Sequence, residues 1–179
     1  MNASLTASDL AATAAVLAPE APTAEPPAPL ASDLCWLLAR VSHALMTEMT
    51  AALEDSGISP RGHRVLVTAM TGAYTQTELA KMIGLDKTTM VVTVDELEAA
   101  GFAERQPSKT DRRARVITVT AAGAKKVLEA EKILDRVRGD VLATLPEEER
   151  AVFLKALGRL ACGRLSVPVA CTQPVRRRS

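Results

Sequence analysis

Between Arg105 and Arg115 the chain carries five basic residues, Arg105, Lys109, Arg112, Arg113 and Arg115, against one acidic residue, Asp111. Guanidinium forks and an ammonium on the polar stretch PSKTDRRA suit binding to phosphate oxygens. Asp111 sits two residues before Arg113, and its carboxylate is expected to hold the Arg113 guanidinium in one pose. A pre-set arginine suits a narrow minor groove, where the potential is most negative. A second group lies upstream: Lys87, Thr88, Thr89, Val91, Val92 and Asp95. There a lysine can meet a phosphate, a hydroxyl a phosphate or base edge, and a valine methyl a thymine methyl. Thr75, Gln76 and Thr77 form a third polar set.

These groups need elements that hold them, and residues 75–119 supply the pattern. Thr75-x-x-Glu78 has the spacing of a capping box, and Leu79, Ala80 and Ile83 then share a narrow helical face. Gly84 ends that helix. Asp86 is a second N-cap, with Leu85 and Met90 spaced to form a hydrophobic staple across it. The next helix is expected to reach Ala100, with Met90, Val94 and Leu97 inward and Gly101 stopping it. A turn of about three residues containing glycine is the mark of a helix-turn-helix, whose second helix enters a major groove N-terminal end first. Phe102–Gln106 and Arg115–Val119 read as two strands, Ile117 and Val119 alternating with Thr118 and Thr120. A helix-turn-helix followed by a basic hairpin is a winged helix, with the hairpin tip as the wing.

The flanks read as helices. Ser32 is expected to open a long one reaching about Asp55, with Leu34, Leu37, Leu38, Val41, Leu45, Met49 and Leu53 on one face. Ser59 and Pro60 start another, with Val65, Leu66, Ala69 and Met70 inward. Thr120 is expected to cap a long helix to about Thr144, with Val127, Leu128, Leu134, Val137, Val141 and Leu145 at three- and four-residue steps. Pro146 starts a last one, with Glu147–Glu149 favoured in its first turn and Val152, Phe153, Leu157, Leu160 and Leu165 along its stripe. Residues 1–30, rich in alanine and proline, are expected to be a disordered extension, with a short helix near Ser8–Leu17 as the alternative. Residues 166–179, carrying Arg176–Arg178, are expected to be a flexible basic tail. The fold class expected is mainly α with a small β-hairpin wing: a winged helix-turn-helix lobe at about 59–119 and a helical lobe from about 31–56 and 120–165.

Composition narrows the function classes. The 179 residues suffice for one domain with a substantial core. Net charge is only +1, so the nucleic-acid signal is local. Cys35, Cys162 and Cys171 include no CxxC, and histidines number 2, so neither a zinc site nor any other metal is expected. No nucleophile–base–acid set or glycine-rich phosphate loop appears, so neither an enzyme nor a cofactor is expected. With no signal peptide and no 18-residue apolar run, a cytoplasmic protein without membrane contact is expected. The end helices carry more apolar surface than one small lobe can cover, which calls for a second copy of the chain.

The stretch LEAAGFAERQPSKTDRRARVITVTAAG resembles the wing region of the MarR family of transcription regulators, through Asp111, Arg113, Val119, Thr120 and Gly123. TQTELAKMIGLDKTTM is similar to that family's helix-turn-helix. The resemblance covers about residues 31–165. It implies an intertwined homodimer of the first and last two helices, and a regulator, a repressor by expectation, on a pseudo-palindromic operator in double-stranded DNA. Val91 and Val92 stand where members often carry a polar residue and an arginine, which shifts readout toward apolar contacts and DNA shape. Family members often bind aromatic or phenolic effectors between their lobes. Trp36, Arg40, His43 and Met46, at helical spacing, and His63 are the candidates for such a ligand, or else core and surface residues. Cys35 has the placement of the reactive cysteine in the peroxide-sensing branch, but Tyr74 is the only tyrosine, where that branch uses several. An oxidant sensor built on Cys35, or a packed apolar Cys35, are the two readings. A non-specific architectural DNA binder is a further alternative.

Overall fold

The structure is a computed structural model that describes residues 28–108, 111 and 113–167. The expected Ser8–Leu17 helix, Lys109, Arg112, Cys171 and Arg176–Arg178 lie outside the described residues. The chain divides into two units, 1–43 and 44–179.

In the first unit a turn leads into helix α1, Leu34–Ala52, which continues into the second unit. Asp33, rather than the expected Ser32, caps it: its Oδ1 accepts the Trp36 N–H at 2.6 Å. Leu34, Leu38 and Val41 are exposed. At the far end α1 stops short of Asp55 and tightens into a 3-10 turn, Glu54–Ser56. The Ser56 hydroxyl donates to Leu53 O at 2.6 Å and accepts from Ile58 N, a local competition that draws backbone groups out of the α pattern. Gly57 follows at φ 72°.

The second unit holds α2 (Pro60–Ala69), α3 (Gln76–Ile83), α4 (Lys87–Ala99), β1 (Ala103–Pro107), β2 (Arg115–Val119), α5 (Ala121–Ala143) and α6 (Glu147–Cys162). The strands pair antiparallel, Ala103 opposite Val119 and Pro107 opposite Arg115. Tyr74 and Thr75 add a short third edge: Thr75 bridges to Val116, and Ile117 N–H donates to Tyr74 O at 2.9 Å. Val65 and Leu66 of α2, Leu79 of α3, and Met90 and Val94 of α4 are fully buried. Each such side chain contributes about 1.5–3 kcal/mol relative to exposure. Ile117 closes the core from the hairpin, and Val127, Ala130 and Leu134 from α5. Met70, expected inward, is 53% exposed, because the helix ends at Ala69 and the chain turns away. α6 buries none of its residues, and Val152, Phe153, Leu154 and Leu160 are exposed on it.

The candidate nucleic-acid interface

Local chemistry builds the helix-turn-helix. Thr75 and Glu78 form the full capping box, the Glu78 carboxylate accepting the Thr75 N–H at 2.7 Å. The two Thr75 donors hold the Glu78 carboxyl below its ordinary range. Gly84 takes φ 71°, the left-handed turn that reverses the chain after α3. Asp86 then caps α4 by accepting from Thr89 N at 3.0 Å and Thr89 Oγ1 at 2.6 Å. Those donors hold its carboxyl below the usual range.

With Met90, Thr93, Val94 and Leu97 buried, α4 turns Lys87, Thr88, Val91 and Val92 to solvent. A cleft between α3 and α4 gathers Gln76, Thr77, Lys81 and Lys87 around a floor of Ala80, Leu85 and Met90. The Thr75 and Thr89 hydroxyls are spent on caps, Thr75 Oγ1 donating to Glu78 and Thr89 Oγ1 to Asp86.

Hydrogen bonds between described residues close the base of the wing loop. Ser108 N–H donates to Ala114 O and Ala114 N–H to Asp111 O, both at 3.0 Å. Asp111 corrects the expectation from sequence: its carboxylate accepts the main-chain N–H of Arg113 at 2.9 Å, not the guanidinium. Asp111 thus shapes the turn, and the exposed Arg113 side chain extends from it. Arg105 departs from the basic run more strongly. Its guanidinium faces the protein, bonded to Asp95, Glu98 and Gln76. Sequence reasoning missed this because the partners lie on other elements, at separations no local pattern reports.

A MarR family model matches residues 56–114. A MarR-family transcriptional regulator from Rhodococcus sp. RHA1 superposes with a TM-score of 0.68 at 28% identity, covering 74% of this chain and 94% of that one. CouR from Rhodococcus jostii RHA1 bound to p-coumaroyl-CoA superposes at 0.65 with 29% identity, covering 75% and 95%. CouR bound to a 23-mer DNA duplex gives 0.68 at 24% identity, covering 74% and 94%.

The chain carries a winged helix-turn-helix of the MarR type.

Its fold is that of a MarR-family transcriptional regulator, and among the described residues no helix is long and apolar enough to cross a membrane. The candidate effector residues are differently placed. Trp36 is half-buried, and Arg40 and His43 are exposed on α1. Met46 is half-buried, with the Arg64 guanidinium 3.7 Å from its sulfur. Cys35 and Cys162 are exposed in the single chain. Tyr74 packs against the helix-turn-helix core.

His63 is buried in α2, with Nε2 2.8 Å from Glu131 Oε2 of α5. Burial lowers its pKa from 6.5, the nearby Glu131 opposes that, and Arg138 and Arg64 add to it. The unfolded chain therefore binds the proton at a higher pH than the folded chain does. Stability from keeping His63 neutral is complete above pH 6.5 and is lost as pH falls below it toward the depressed folded value. Urea midpoints are expected to drop between about pH 7.5 and 5.5, and to drop less in His63→Gln. Parallel profiles for the two proteins would contradict this.

Proposed function

We propose that this protein is a homodimeric, sequence-specific DNA-binding transcription regulator that represses its target and is released by a small aromatic effector. The observation that carries the reading is the pairing of an outward recognition face, Lys87, Thr88, Val91 and Val92, with an exposed Arg113 on the wing. Lys87, Gln76, Thr77 and the starts of α3 and α4 would meet phosphates. Val91 and Val92 would meet thymine methyls, and Arg113, its turn shaped by Asp111, the minor groove. Lys109 and Arg112 belong to the same loop. The DNA-bound CouR structure supports this reading.

The dimer is supported by the apolar residues that the protomer leaves uncovered on α1 and α6. Two-fold pairing would present two recognition helices about 34 Å apart, on a pseudo-palindromic site. The aromatic input is supported by the p-coumaroyl-CoA bound to CouR, with Trp36, Arg40 and His43 offering a π surface, a cation and an imidazole.

Arg113→Ala is expected to weaken operator binding by about 1–3 kcal/mol at one fixed salt concentration. The side chain is exposed, so the melting temperature should hold. Unchanged affinity would remove the wing from the interface.

A further inference from the structure

Arg105 ties three elements together. Its Nη2 donates to Asp95 Oδ1 at 2.6 Å and to Gln76 Oε1 at 3.1 Å. Its Nη1 donates to Glu98 Oε2. Its main-chain N–H donates to Glu98 Oε1 at 2.7 Å, so Glu98 grips both the backbone and the side chain of β1. Gln76 belongs to α3, Asp95 and Glu98 to α4, and Arg105 to the wing. A planar fork of five donors can serve such divergent acceptors at once; an ammonium cannot hold that geometry.

The position of Asp95 gives this a purpose. It lies four residues after Val91 and three after Val92, so it shares their face of α4. A free carboxylate there would stand among the phosphates of a bound duplex. The Asp95 side chain is 58% exposed and that of Arg105 27%, so the pair sits at the edge of the recognition surface. The other strand of the wing is held independently, through Tyr74 and Thr75.

We propose that Arg105 is the positioning residue that clamps the wing to the recognition helix and masks Asp95, so that Arg113 and the face of α4 meet DNA in one fixed geometry. This rests on the DNA-binding reading above. Arg105 acts through Arg113 and α4, not by touching DNA.

The test uses the full-length protein and a duplex that the wild type selects from a random-sequence pool. If no duplex is selected, the DNA-binding reading itself fails, separately from this one. Binding is then measured at fixed salt for Arg105→Gln, Arg113→Ala, their combination and Asp95→Ala, with the folded fraction checked by circular dichroism. Arg105→Gln is expected to weaken binding by roughly tenfold, and Arg113→Ala to cost at least about threefold less in that background than in the wild type. Arg105→Lys should not restore affinity. Asp95→Ala should weaken binding although it removes a negative charge; should Arg105→Gln fail to fold, this mildly altered variant carries the test.

Multiplying effects of Arg105→Gln and Arg113→Ala would overturn the proposal. So would a salt slope about one unit shallower in Arg105→Gln, which marks a direct phosphate contact, or tighter binding by Asp95→Ala, which marks simple charge repulsion.

Discussion

Phe153→Asp is expected to convert the protein into a folded monomer of 19.0 kDa that no longer holds its operator. Phe153 is 40% exposed in the protomer, on a helix that buries none of its own residues. Val152 at 66%, Leu154 at 52% and Leu160 at 36% exposure accompany it. Apolar surface on that scale is unfavourable in water and fits the proposed dimer interface. In a two-fold interface each substitution acts twice, and an unpaired carboxylate buried there costs more than the lost ring contact. The protomer core of α2, α3 and α4 contains no α6 residue, so secondary structure should persist. Loss of the second half-site contact should lower affinity for a full site by about 100-fold or more. Sedimentation and binding on the same sample decide it. A variant that still sediments at twice the chain mass and binds as before would place the dimer interface elsewhere.

Gly123→Ala is expected to be the most damaging single-methyl addition in the chain. A Cβ there would lie 2.0 Å from Phe102 O and 3.0 Å from Val119 Cγ1. The first obstacle is backbone and cannot rotate away. That carbonyl also accepts from Thr120 N–H at 3.1 Å, and the Thr120 hydroxyl donates to Gly101 O at 2.7 Å while accepting from Gly123 N–H at 3.0 Å. The glycine therefore lets the start of α5 dock on the chain leaving α4, and a methyl must prise the two apart. Overpacking of this kind costs about 1–3 kcal/mol, sometimes more. The urea midpoint should fall by that equivalent with an unchanged slope. A midpoint equal to the wild type would mean that the junction yields freely.

What the sequence revealed and what it withheld divide by range. The Thr75–Glu78 box, the Asp86 cap, the Gly84 reversal and the Thr120 cap are each complete within four residues, and each formed as read. The apolar stripe of α6 was legible as periodicity, and its exposure in the protomer fits the surplus read from the sequence. Arg105 was not legible, since a basic residue in a basic run looks the same whether it faces DNA or three acceptors on α3 and α4. Asp111 was half legible: its spacing to Arg113 was right, but a short carboxylate reaches the amide two residues on more readily than the end of a long side chain. His63 looked like a ligand group because its partner, Glu131, lies on α5, far along the chain. Gly123 stood out only by resemblance, and its steric reason needed the backbone of Phe102.

The most direct measurement of the central claim is the affinity of the full-length protein for DNA flanking its own coding region, against a shuffled duplex of equal length, at one physiological salt concentration. A two-fold sequence reader should bind one pseudo-palindromic segment as one dimer per duplex, about 1,000-fold or more tighter than the shuffled control. Equal affinity for the two duplexes, with a salt dependence to match, would contradict the account and leave only a non-specific DNA binder.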